Sequence, residues 1–96
     1  MRAVAKANVK TLVKGLSHKK GYARELSARG LASLPATADG KEALTACVES
    51  SSEHGYVRAT CASTLASWNV KSADKAIIRA MSEVDAESRY WLAEAL

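Results

Sequence analysis

The sequence predicts an all-α fold of about six helices built on a repeated helix pair, and three observations carry that expectation. The first is internal self-similarity. Gly21-Tyr22-Ala23-Arg24 returns 34 positions later as Gly55-Tyr56-Val57-Arg58, and at the same offset Ala28 falls on Ala62, Leu31 on Leu65, Lys41 on Lys75 and Glu49 on Glu83. A third, shorter copy places Arg89, Ala93 and Leu96 at the spacing of Arg58, Ala62 and Leu65. A fixed period of this length marks a repeat architecture. The second observation is helical spacing of apolar residues throughout, without sustained period-two alternation, so no strands are expected. The third is a core vocabulary of Ala, Leu, Val and Ile with no Phe, which suits helices that approach closely.

Taken in order, Val9, Leu12, Val13 and Leu16 form the stripe of an amphipathic first helix over residues 2–16, ended by Gly15 and the polar cluster 17–21. Residues 22–34 read as a second helix, with Tyr22, Leu26, Ala28, Leu31 and Ala32 packing and Pro35 as its stop. Asp39-Gly40-Lys41-Glu42 has the form of a capping box, with Asp39 as the cap of a third helix that turns Ala43, Leu44, Cys47 and Val48 inward. Residues 56–68 make a fourth, with Val57, Cys61, Ala62, Leu65 and Trp68 apolar. A fifth runs to about Ser82 from a cap at Ser72 or Asp74, and carries Ala76, Ile77, Ala80 and Met81. A sixth opens at Asp85 or Glu87 and carries Tyr90, Trp91, Ala93 and Leu96. The chain divides into a single helix (1–20), two repeats (21–54 and 55–85) and a partial repeat (86–96).

At 96 residues, 48% hydrophobic and 25% charged, the composition is that of one small globular domain. The net charge of +4 is unevenly placed. Residues 1–20 carry Arg2, Lys6, Lys10, Lys14, Lys19 and Lys20 with no acid, while the rest of the chain is slightly acidic. Cys47 and Cys61 lack zinc or redox-motif spacing and fall on buried faces, so they read as reduced core thiols of a cytoplasmic protein. No apolar run is long enough to span a membrane. Lys6, Lys10 and Lys14 interrupt any signal-peptide core. The acid-free start also has the character of a mitochondrial presequence, although the same residues fit the repeat.

The repeated unit has the core V-R-x-x-x-A-x-x-L, as in Val57-Arg58, Ala62 and Leu65, followed by a second helix with an apolar pair at Ala43-Leu44 or Ile77-Ile78. The tetratricopeptide and ankyrin signatures are absent. This unit resembles the short HEAT-like repeat of phycobilin-lyase-type subunits and related solenoid proteins, over nearly the whole chain. The resemblance implies a right-handed α-solenoid of antiparallel helix pairs that serves as an interaction scaffold. Family repeats commonly carry an acid about four residues before the arginine. Asp85 fits before Arg89, but Lys20 and His54 occupy that position before Arg24 and Arg58, with Glu53 one residue earlier as a substitute.

Several surfaces are candidates for function. Arg2, Lys6, Lys10, Lys14, Lys19 and Lys20 form a basic patch suited to an anionic partner: an acidic protein, nucleic acid phosphates or an anionic membrane surface. Basic residues confined mainly to one helix make nucleic acid the lesser of these. Arg24, Arg58 and Arg89 recur in register, which points to pairing with a neighbouring turn. Tyr22 and Tyr56 read as packing residues. Tyr90, Trp91 and Leu92 lie on a last helix that has no following partner, so they are expected to contact another chain or a second copy in a homodimer. His18 and His54 have no nucleophile at catalytic spacing and the glycines follow no phosphate-binding pattern. No catalytic residue, metal or cofactor is expected. The function expected is therefore a non-catalytic protein-interaction module, a fragment or subunit of something larger, with a nucleic-acid-binding module and a docking domain of a lyase-like or other enzyme as alternatives.

Overall fold

The computed structural model describes the backbone of residues 2–96 and the side chains of residues 8–96. Its elements are α1 (Arg2–Gly15), α2 (Gly21–Leu31), α3 (Ala38–Glu49), α4 (Gly55–Ser67), a 3-10 turn (Lys71–Ala73), α5 (Asp74–Met81) and α6 (Ala86–Glu94), with no strand among the described residues. Consecutive helices α1–α2, α3–α4 and α5–α6 touch. So do α2, α4 and α6 in succession, and α1, α3 and α5 in succession, which sets the helices in two rows with α4 at the centre. The extents of 40 × 28 × 16 Å are those of a slab, two helix rows deep.

Between the rows lies one core. The residues that repeat at 34 positions supply its middle: Ala28 and Leu31 on α2, and Ala62 and Leu65 on α4, are all fully buried. Leu44 and Val48 of α3, Ile77 and Ala80 of α5, Val9 of α1 and Leu92 of α6 close around them. Two polar bonds tie α4 and the residue that caps its end to α2 and the turn after it. The Thr64 hydroxyl donates to the Ala28 carbonyl at 2.6 Å, and the Trp68 indole N–H donates to the Leu34 carbonyl at 3.0 Å. Trp68 also lies over Gly40, where an added Cβ would stand 2.8 Å from the indole ring. Glycine there lets α3 pass close beneath the indole.

The turn chemistry differs from expectation at two caps. Helix α5 follows directly on the 3-10 turn, with Ala73 rather than Ser72 or Asp74 as its N-cap and no side-chain bond there. Thr37, not Asp39, is the N-cap of α3, and its hydroxyl accepts from the Gly40 amide at 3.0 Å. Both residue types can cap, and the extended backbone at Thr37 decides the matter by placing its oxygen over the first turn. Thr37→Ala is accordingly expected to lower stability by about 1 kcal/mol, while Asp39→Ala changes it little. Thermal melts of the two variants check the assignment. At the other end of a helix, Asn69 takes the left-handed conformation with φ of 59°, and Val70 and Asn69 donate to the carbonyls of Leu65 and Ala66. This is the six-to-one, five-to-two bond pair of a Schellman stop, with Asn in the place glycine usually takes.

Packing on α2 also departs from the apolar spacing. Tyr22 and Leu26 are more than half exposed, Ala32 is exposed, and the buried side is Glu25, Ser27, Ala28 and Leu31. The reason is closeness. Gly15 at the end of α1 packs directly on Ser27, where no side chain would fit, so α2 turns Ser27 and Ala28 inward beside Leu31 and leaves Tyr22 and Leu26 facing out. Tyr56, in register with Tyr22, is likewise about half exposed.

The three repeated arginines share one geometry. Each guanidinium reaches carbonyls at or just beyond the end of the preceding helix: Arg24 donates to His18, Arg58 to Val48, and Arg89 to Met81 and Val84. Carbonyls there have no partner within the helix, and a cation is favoured at that end. Arg24 and Arg58 extend a second bond to an acid in the next interhelical turn, Glu53 and Glu83 respectively. Each acid thus serves the arginine of its own repeat rather than the one that follows it in the chain.

Burial acts to raise the Glu53 carboxyl, but its bonds from Arg24 and the His54 amide, with their charges, outweigh burial and hold it below the ordinary value of 4.5. A depressed folded-state pKa contributes stability that is fully present above the unfolded value and lost as pH falls through the folded one. Stability is therefore expected to decline below about pH 4.5, and Glu53→Gln should flatten that decline in acid titrations of the unfolding midpoint.

Cys47 and Cys61 are joined in a disulfide that ties α3 to α4, and no free cysteine remains. This corrects the expectation of two reduced thiols. Spacing along the chain cannot show it, because the pairing depends on how α3 lies across α4, which brings the two Cα atoms to 6.4 Å, within the usual range for a bridge.

Candidate functional site

On the outer side of the α2–α4–α6 row lies a groove of about 780 Å³. Its floor is α4, where Ala59, Ser63 and Ala66 follow one another at i, i+4 and i+7 and are too short to fill the space between the flanking helices. Glu25 and Arg29 of α2 form one wall. The other wall is α6, where Glu87, Trp91 and Glu94, again at i, i+4 and i+7, place an indole between two carboxylates on one helix face. Gly55 lets α4 start close against α6, since a Cβ there would meet the Ser88 hydroxyl at 2.5 Å.

The charges are arranged unevenly. Glu25 is almost fully buried, and its carboxylate accepts from Arg29 and from the Thr60 hydroxyl at 2.9 Å, so that wall is neutralised. Asp85, at the N-cap of α6, is held below the usual carboxylate range by the Ser88 hydroxyl first, against a smaller opposing effect of burial. Glu87 and Glu94 are exposed and in no ion pair among the described residues. Trp91 keeps 54% of its surface in contact with solvent. His54 and Tyr56, stacked with centroids 5.6 Å apart, stand at the end of the groove where α4 begins.

The sequence-derived candidates fall in different places. Of Tyr90, Trp91 and Leu92, the first two are exposed and meet edge to face at 5.1 Å, and Trp91 lines the groove. Leu92 is fully buried and makes no outward contact. A helix cannot present three consecutive residues on one side, and core packing takes Leu92, the one aliphatic residue of the three. Lys10, Lys14, Lys19 and Lys20 are exposed. The side chains of Arg2 and Lys6 lie outside the described residues. Lys10 and Lys14 share a shallow depression with Asp39 and Glu42 of α3, so the face on which they stand is mixed in charge. Lys20 lies 5.8 Å from the Tyr22 ring centroid. Arg24 and Arg58 are engaged with carbonyls and acids as described and do not line the groove, and Arg89 is bonded to carbonyls beside Asp85 at its mouth.

Sequence reasoning did not single out the groove. The signal that could have found it is the pair of i, i+4, i+7 stripes, small residues on α4 and Glu-Trp-Glu on α6, which lie off the core face except at the buried Ala59. Among the described residues no three His, Cys, Asp or Glu side chains converge as a metal would require, and no helix is long and apolar enough to cross a membrane. Compared with known proteins, the chain matches no family model, no curated protein and no solved structure.

Proposed function

We propose that the chain is a non-catalytic protein-interaction module of the α-solenoid class, with the α2–α4–α6 groove as its binding surface. The two helix rows, the 34-residue repeat and the recurring arginine bonds support a HEAT-like solenoid of antiparallel pairs. The observation that carries the function is the groove itself: a floor of small residues, a half-exposed tryptophan on one wall, and a volume well above that of a packing defect. Aromatic side chains beside a trough are the usual anchors of a protein contact.

The basic first helix is the weaker site, because Asp39 and Glu42 stand beside Lys10 and Lys14 and reduce its attraction for phosphate. A role as docking domain of an enzyme would use the same groove. A homodimer through the last helix would use Tyr90 and Trp91 without Leu92. The cytoplasmic expectation rested on reduced thiols, and a Cys47–Cys61 bridge fits an oxidising compartment better.

Peptide display against the folded chain tests the reading. Selected peptides should lose binding to Ser63→Gln/Ala66→Gln, which fills the floor with neutral side chains at two exposed positions. Selection of nothing, or of peptides indifferent to that double variant, would overturn it.

A further inference from the structure

Building on that reading of the groove, we infer that its occupant is a short lysine- or arginine-bearing segment of a partner protein, held by the α6 wall. The inference starts from the contrast between the two walls. On α2, Glu25 is spent on Arg29 and Thr60 and is nearly closed to solvent, so it offers a ligand nothing. On α6, Glu87 and Glu94 flank Trp91 on one helix stripe, exposed and in no ion pair among the described residues. Asp85 adds a third carboxylate at the mouth, kept ionised at neutral pH and partly offset by Arg89.

A cationic side chain matches this wall at both of its parts. Its methylene stem covers the exposed indole, and its charged head reaches a carboxylate one helical turn to either side. Arginine can also stack its plane on the ring. An acidic segment would meet uncompensated carboxylates, and a purely apolar one would leave them facing a desolvated surface. The small residues of α4 admit the backbone of the segment without a clash. The floor helix of 13 residues is about 20 Å long, the length of a short segment rather than of a folded domain face. The chain's own basic α1 carries similar charge, but it is packed on α2 and α3 in the same molecule. A second copy is therefore an outcome for the test to expose.

Three short peptides decide the matter, identical except that their charged positions are all Lys, all Gln or all Glu, titrated into the isotope-labelled full chain and followed by amide and indole resonances. The expected result is that the Lys peptide alone shifts the Trp91 indole and the amides of Thr60 and Ser63, and that its affinity falls as salt is raised. Glu87→Gln/Glu94→Gln should weaken it roughly threefold to tenfold, and Trp91→Ala should weaken it further. Both variants alter exposed side chains, so folding is retained, which the spectrum itself verifies. If the Gln peptide binds the groove as tightly as the Lys peptide, the charge inference fails while the groove reading stands. If the Lys peptide binds elsewhere, or none of the three binds, the inference fails. Concentration-dependent shifts at the groove without any peptide would assign it to a second copy and overturn the inference as well.

Discussion

Arg58→Ala is expected to destabilise the protein by about 3 kcal/mol, the sum of a large-to-small cavity and a buried carbonyl left without its donor. Arg58 is the largest fully buried side chain, 2% exposed, at the centre of the fold. Its Nε donates to the Val48 carbonyl at 2.9 Å and its Nη2 to Glu83 at 2.8 Å. No buried side-chain nitrogen or oxygen among the described residues lacks a hydrogen-bond partner, so the guanidinium is satisfied as it stands. Removing it breaks the connection between the end of α3, the middle of the core and the turn before α6. In a domain of this size the loss corresponds to a fall in Tm on the order of 15 °C. Arg58→Lys should recover only part of it, because one ammonium cannot reproduce a planar fork that points in two directions. Arg24→Ala should cost less, since the Arg24 side chain is 18% exposed against 2% for Arg58 and Glu53 keeps its bond from the His54 amide. An Arg58→Ala melting curve that overlays the parent would contradict the assigned role.

Loss of the Cys47–Cys61 bridge is expected to have an effect of similar size. The bridge closes a loop with a sequence separation of 14, for which the chain-entropy estimate is about 3 kcal/mol. The loop contains the α3–α4 turn, so cutting the bridge frees the helix pair at the centre of both rows. Melting with and without reductant measures the difference, and Cys47→Ala/Cys61→Ala should abolish the dependence on reductant. Mass spectrometry of the unreduced native chain should find it two hydrogens lighter than the reduced chain. Thiol alkylation of the native, unreduced protein would contradict the bridge directly.

How much of this was legible beforehand depended on whether a feature is local. Helix positions follow from apolar spacing and from turn residues close by in the chain, and six helices stand within a few residues of their expected ends. The repeat offset placed Ala28, Ala62, Leu31 and Leu65 in one core, whereas Ala93 and Leu96 of the third, shorter copy are exposed. Features that depend on the roll of a helix about its axis were not legible. Leu92 and Trp91 are neighbours in sequence, yet one is buried and the other open. Tyr22 and Leu26 look like packing residues until Ser27 and Gly15 bring α1 and α2 too close to admit them. The disulfide and the groove depend on distances between helices far apart in the chain. Their residues were visible, but their meeting was not.

The most direct test of the central claim compares two variants in binding one partner peptide selected on the parent protein. Ser63→Gln/Ala66→Gln fills the groove, and Lys10→Glu/Lys14→Glu reverses the exposed basic charge of α1 on another face. Affinity measured by titration should be lost in the first variant and remain within about twofold of the parent in the second, where a distant surface charge has only a weak, screened effect. Binding that survives a filled groove and disappears with the α1 lysines would contradict the account and move the functional surface to the first helix.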